Sequence, residues 1–317
     1  MTRIDLHAHV VTDAYRELLV TPDGTRPFVP PAPLEALEAN MARYAIDAAV
    51  ISLGPPGAFL GDQGRANEIA RAGNESLAAI VRADSRRFAG LALLPLPDVD
   101  AAVAELAHAL DHLGLDGVLL FSNTAKVYLG DPRLEPLFAE LDRRAAYVFV
   151  HPGMPPYAEP LGDLHPPWLY EFPFETTRAI ANLIFSGTFE RHPRIRFQFA
   201  HLGGTAPFLA DRLASLHDRE PQRAAEATAG VAEYLRRQYY DTGLSQFLPA
   251  LQATRAIAPF EHIVFGTDWP YAALPETGDD PSPDFASLPA DERAALDAGN
   301  AAALVPRLTA AMGDRGG

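Results

Sequence analysis

The sequence predicts an α/β fold, a (β/α)8 or TIM barrel, on three observations. Short apolar runs alternate with longer segments of helical period from one end of the 317 residues to the other. Runs such as Val118-Leu119-Leu120-Phe121 and Tyr147-Val148-Phe149-Val150 are apolar on both faces, as parallel strands covered on both sides are. No Gly-rich phosphate turn follows Ile4–Leu6 or Ala48–Leu53, where a doubly wound open sheet would need one.

The elements follow in order. The first strand is Ile4–His9, and after a long loop the helical spacing of Leu34–Tyr44 leads into the strand Ala48–Leu53. Helix Gln63–Asp84 precedes strand Phe88–Leu94, and helix Val99–Leu113 precedes Gly117–Phe121. The second half repeats the alternation. Pro132–Arg144 leads to Tyr147–His151, Thr176–Arg191 to Ile195–His201, Thr205–His217 to Gln238–Thr242, and Phe247–Ala258 to His262–Asp268. Strand plus helix, eight times over, is the arithmetic of this barrel. Residues 1–317 read as one barrel domain. Its longer loops, near 10–33, 152–171 and 270–283, all follow strands and so belong on the C-terminal rim, where substrate loops lie.

Composition excludes several functions. The formal net charge is −15, which argues against nucleic acid or an anionic membrane surface as a partner. There is no Cys, so thiol nucleophiles, iron–sulfur clusters and disulfides are out. Lys126 is the only lysine. The opening Met1-Thr2-Arg3-Ile4-Asp5 lacks the apolar core of a signal peptide, and no apolar stretch approaches the ~20 residues of a membrane span. A cytoplasmic protein is expected.

The rare ligand-type residues fall at strand ends. His7 and His9 are two apart on the first strand and share a face, the barrel interior. His151 ends the fifth strand, His201 the sixth and Asp268 the eighth, on the rim where barrels place active sites. Imidazoles and a carboxylate in that arrangement suit one borderline divalent ion, Zn2+ or Mn2+, with room for a substrate. The other histidines read as structural. His108 and His112 lie on a surface helix, His192, His217 and His262 in turns, helix ends or the bottom of a strand, and His165 in a loop.

This set, His-x-His, His151-Pro152, His201-Leu202-Gly203-Gly204 and Gly266-Thr267-Asp268-Trp269-Pro270, resembles the amidohydrolase superfamily. More narrowly it resembles the aminocarboxymuconate-semialdehyde decarboxylase branch. Pro95-Leu96-Pro97-Asp98, residues 183–191 and Gly299-Asn300-Ala301 match that branch too, and Phe172–Thr177 looks most like its 6-methylsalicylate decarboxylases. The resemblance implies a metal held by His7, His9, His151 and Asp268, with His201 beside it as a catalytic group. It implies a homodimer in which Arg212 of a neighbouring subunit meets the substrate carboxylate, and it offers Arg26 in the first rim loop as a second arginine. The fourth strand ends without a lysine. Lys126 lies farther out, so one metal is expected rather than a lysine-bridged pair.

The expected reaction is non-oxidative decarboxylation of a small aromatic or muconate-type acid, such as the ortho-hydroxy acid 6-methylsalicylate. Asp268, assisted by His201, would deliver the proton to carbon. Phe172, Trp269, Phe174 and Tyr157 are candidates to pack the ring. Asp241 ends the seventh strand, where it could support a metal ligand or His201, or cap the next turn. The same ligands could instead activate water in a hydrolase or hydratase acting on a lactone, an amide or a C=C bond.

Overall fold

The computed structural model describes residues 2–156 and 165–313. Strand β1 (Ile4–His9) is buried along its whole length. A short helix α1 (Asp13–Leu18) interrupts the first rim loop, and α2 (Leu34–Arg43), β2 (Ala48–Ser52), α3 (Gln63–Ala83), β3 (Phe88–Leu93), α4 (Val99–Ala107) and β4 (Gly117–Phe121) follow. Two short strands, β5 (Asn123–Thr124) and β6 (Val127–Tyr128), form a hairpin before α5 (Glu135–Arg143) and β7 (Tyr147–His151). Next come α6 (Glu171–Phe185), α7 (Thr188–Arg191), β8 (Arg196–Phe199), α8 (Ala206–Ala214), α9 (Leu216–Arg219), α10 (Val231–Arg237) and β9 (Tyr239–Asp241). The chain ends with α11 (Leu248–Arg255), β10 (Ile263–Val264), α12 (Ala290–Asp297) and α13 (Pro306–Gly313).

Eight of these strands form one parallel sheet in the order β1-β2-β3-β4-β7-β8-β9-β10. The two edges meet. Leu6 N donates to Phe265 O at 2.9 Å and His9 N to Trp269 O at 2.8 Å, which brings the segment after β10 against β1. The barrel expected from the alternation of patterns is therefore the fold observed.

Local chemistry explains the helices. Asp62 accepts from Arg65 N at the start of α3, and Asp98 accepts from Ala101 N at the start of α4. Caps of this type stabilise by about 1 kcal/mol each. Helix α3 turns Ala66, Ile69, Ala70, Gly73, Leu77 and Val81 inward, at intervals of three and four. The helix expected over Val99–Leu113 is α-helical to Ala107 and continues as a π-helical turn over His108–His112. Helix α6 begins at Glu171 rather than at Thr176, because Pro173 falls in its first turn, where a proline is tolerated.

The last strand is the largest departure. It was expected to run to Asp268, but its ladder stops at Val264. Past it, backbone bonds to β1 continue, with Asp268 N donating to His7 O at 2.8 Å, and side-chain bonds join them: Thr267 donates to Asp5 through Oγ1 at 2.6 Å and through N at 3.1 Å. Strand β8 likewise stops at Phe199, so His201 lies in the turn after the strand. Among the described residues, no helix is long and apolar enough to cross a membrane.

Candidate metal and catalytic site

The ends of β1 and β7 and the turns after β8 and β10 bring His7, His9, His151, His201 and Asp268 together, all of them buried. Asp268 Oδ1 lies 3.0 Å from His7 Nε2, 3.2 Å from His9 Nε2 and 3.9 Å from His151 Nε2. Its other oxygen, Oδ2, lies 3.3 Å from His201 Nε2. One ligand atom from each of His7, His151, His201 and Asp268 falls within 4.8 Å of the others. His9 Nε2 joins this group at 3.2 Å from His7 Nε2.

Three of the rings are tied from behind. His7 Nδ1 is 2.8 Å from Asp241 Oδ1, His9 Nδ1 is 2.9 Å from Ser52 Oγ, and His151 Nδ1 is 2.9 Å from Pro152 O. These outer bonds orient each Nε2 toward the centre, as they do behind metal-bound imidazoles. A carbonyl can only accept, so His151 carries its hydrogen on Nδ1 and presents a lone pair at Nε2. That Nε2 and Asp268 Oδ1 are both buried without a hydrogen bond. Leaving a buried acceptor unpaired costs about 1–3 kcal/mol. Two acceptors facing each other across 3.9 Å are a pair that a cation would satisfy. Imidazole nitrogens with one carboxylate fit a borderline dication.

The electrostatics agree. Burial pushes His151 down to about 3 and lowers His9, so both present neutral nitrogens. Burial opposes charge on His7 as well, but Asp241 and Asp268 outweigh it and push it up to about 10. Burial would raise Asp268, but the charge of His7 and the bond from His201 hold it well below the usual carboxylate range. The field that keeps a proton on His7 is one that would hold a dication in its place.

Asp241 acts at the hub behind the site. Besides His7 it accepts from Gln198 Nε2 at 2.7 Å, Gly243 N at 2.9 Å and His201 N at 3.3 Å. Of the roles open to it in the sequence, it therefore supports both His7 and the His201 turn, and it also closes its own local turn. Tyr147 OH donates to Gln198 Oε1 at 2.6 Å and extends the network. Ser52, Gln198 and Asp5 escaped sequence reasoning. Their signal was a polar residue inside an otherwise apolar strand, as in Phe197-Gln198-Phe199 and Val50-Ile51-Ser52-Leu53.

Two site residues sit in strained backbone. Asp268 has φ 62°, and His201, Leu202, Gly203 and Gly204 have φ 58°, 53°, 78° and 64°. Non-glycine residues in this region cost of order 1–3 kcal/mol each and gather at functional sites. Gly204 has no room for a side chain, since an added Cβ would collide with Pro173 O. Gly204→Ala is expected to destabilise the protein by about 3 kcal/mol or more, read as a lower denaturant midpoint.

The remaining candidates divide. The Phe172 ring lies 6.5 Å from that of His151, and Trp269 is half-buried, its amide bonded to Thr267 Oγ1. The Phe121 ring, 5.9 Å from His151, and the Tyr271 ring, 5.5 Å from His9, were not anticipated. Arg212 is exposed on α8, and within one chain it is not brought to the site. Arg26 does not reach the site either. Its guanidinium donates to Arg16 O at 3.2 Å and Glu17 O at 3.4 Å, because carbonyls near the end of α1 attract a cation. Lys126 occupies the β5–β6 turn and bridges nothing in the cluster. Phe174 is 40% exposed, and Tyr157 lies outside the described residues. His192, bonded to Glu135, and His262, stacked on Tyr239, are structural as expected.

Known proteins share this arrangement of strands. The chain is 32% identical to the 6-methylsalicylic acid decarboxylase of Penicillium expansum over 97% of each chain. It is 33% identical to the 6-methylsalicylic acid decarboxylase of Aspergillus aculeatus, over 85% of this chain and 84% of that one. A dihydroxybenzoic acid decarboxylase from Polaromonas, solved with manganese and 2-nitroresorcinol, superposes with a TM-score of 0.82 over 96% of this chain and 97% of its own, at 24% identity. That last likeness is one of fold. The family model described as amidohydrolase matches residues 4–307, and with His7, His9, His151, His201 and Asp268 gathered at one end of the barrel the chain belongs to the amidohydrolase family.

Proposed function

We propose that this chain is a metal-dependent, non-oxidative carboxy-lyase that removes carbon dioxide from a salicylate-type aryl acid such as 6-methylsalicylate. The observation that carries the reading is the shared carboxylate. Asp268 turns Oδ1 toward the Nε2 atoms of His7, His9 and His151, and Oδ2 toward His201 Nε2. One group thus joins a cation site to a proton carrier. The activity named for relatives 32% and 33% identical supports the same choice.

Removing carbon dioxide from an aromatic ring leaves negative charge on carbon, and that carbon must be protonated. His7, His9, His151 and Asp268 would hold one divalent ion, manganese or zinc. When bound, that ion supplies a Lewis acid that draws charge from a carboxylate and its ortho hydroxyl. His201 and Asp268 hold the proton between them and deliver it to the ring carbon. Phe172 and Trp269 pack the ring and exclude water. Asp241 keeps His7 and the His201 turn in place.

The pairing partner of the substrate carboxylate is Arg212 of a second copy of the chain. Phe208, 85% exposed, lies one helical turn before Arg212 on α8, and Trp168 (57%) and Phe247 (58%) are exposed as well. Large apolar side chains left open in this way suit a subunit contact. Arg212→Ala should raise KM for the acid by about tenfold or more, the loss expected for a charge-assisted bond. At substrate concentrations well below the raised KM, mixing Arg212→Ala with His201→Ala subunits should give more activity than either variant shows alone. Failure to do so would place Arg212 outside the site.

The direct test is carbon dioxide release from 6-methylsalicylate by manganese-loaded and zinc-loaded protein. Stoichiometric release with the ring recovered as the phenol is expected. Turnover of lactones or amides with no release from any aryl acid would overturn the assignment.

A further inference from the structure

Beside the metal site lies a cavity of about 380 Å³ with a mostly apolar wall that includes Leu60, Leu94, Leu96, Phe121 and Met154. Single side chains connect it to the site. Phe121, which lines it, packs its ring against His151, and Pro55, also in its wall, accepts a bond from Tyr271, whose ring meets His9. Among the described residues one charged residue contributes to the lining, Lys126, which is exposed and is the only lysine of the chain.

The backbone goes out of its way to place that lysine. The β5–β6 hairpin turns through Ala125 and Lys126 alone, at φ 51° and 67°. A two-residue turn with both centres left-handed favours Asn-Gly, so Ala-Lys is a strained choice. The surroundings hold it. Glu175, fully buried, accepts from Ser122 Oγ at 3.3 Å, Asn123 Nδ2 at 2.8 Å and Tyr128 OH at 2.8 Å, and so pins the base of the hairpin. Asn123 also donates to Met154 O, which ties the hairpin to the segment after β7 that lines the same cavity. Among the described residues, no carboxylate lies within ion-pair distance of Lys126. Asp131, its neighbour in the outer cleft, is already held by Arg133 at 2.7 Å.

A pinned, strained hairpin thus presents a cation that has no counter-charge among the described residues, at the edge of an apolar cavity next to the reacting centre. We infer that Lys126 determines specificity by binding a second carboxylate on the far side of the aryl acid, so that hydroxybenzene dicarboxylates are preferred to monoacids. The inference rests on the aryl-acid reading above and names a substrate class within it.

Calorimetry on manganese-loaded protein tests it, with 4-hydroxyisophthalate as the diacid and salicylate as the monoacid. Wild type should bind the diacid more tightly. In Lys126→Met the preference, measured as the ratio of the two Kd values, should fall by about tenfold, and Lys126→Arg should retain most of it. A ratio unchanged in Lys126→Met, or no preference for the diacid in wild type, overturns the inference. Carbon dioxide release is read separately on the same samples. A Lys126-dependent preference with no release from these acids or from 6-methylsalicylate would count against decarboxylation and leave this site standing, whereas release with an unchanged ratio would do the reverse.

Discussion

Asp268→Asn should release carbon dioxide at least about 10⁴-fold more slowly than wild type and purify with less metal. The substitution keeps the shape of the side chain and removes its charge. Wild-type Oδ1 faces three imidazole nitrogens at 3.0, 3.2 and 3.9 Å, and an amide there either points hydrogens at a cation site or offers a neutral oxygen to it. The other edge meets His201 at 3.3 Å, so the proton pathway is altered by the same change. Loss of a positioned proton carrier costs about 10²–10⁴ in rate, and loss of a charged ligand adds to it. The check pairs initial rates with elemental analysis, and thermal melting verifies that the variant is folded. Turnover within tenfold of wild type at full metal content would remove Asp268 from both roles.

That residue also shows how far the sequence could be read. The positions of His7, His9 and His151 follow from strand periodicity alone, because a strand end and its inward face are visible as an apolar run. Asp268 and His201 were found for a partly wrong reason. Both were read as strand ends, and both lie past the ladder in left-handed turns at φ 62° and 58°. Those turns are held by contacts distant in sequence, such as Asp5 with Thr267 and Asp241 with His201, and no local pattern carries such a contact. The strained Ala125-Lys126 turn was invisible for the same reason, since neither residue type announces positive φ. Ser52 and Gln198 looked like interruptions of a core until their partners were known. Arg26 marks the opposite failure. A loop arginine has many reachable carbonyls, and here those near the end of α1 take it.

His201→Ala should keep its metal and lose about 10²–10⁴-fold in kcat. The expectation depends on which imidazoles are ligands, because His201 Nε2 is close enough to His7, His151 and Asp268 to be one itself. Two features set it apart. His7, His9 and His151 converge on Oδ1 of Asp268, whereas His201 addresses Oδ2. Those three rings are also fixed at Nδ1 by Asp241, Ser52 and Pro152, as ligands are, while among the described residues Nδ1 of His201 has no hydrogen-bond partner. A ring whose tautomer is not locked can pass a proton from one nitrogen to the other, which a carrier needs and a ligand does not. Metal content and kcat, measured together, therefore separate the two roles. If His201→Ala loses metal in proportion to activity, His201 is a ligand and the proton must reach the ring carbon by way of Asp268 alone. If metal stays and kcat falls, with added imidazole restoring part of it, the proton travels through His201.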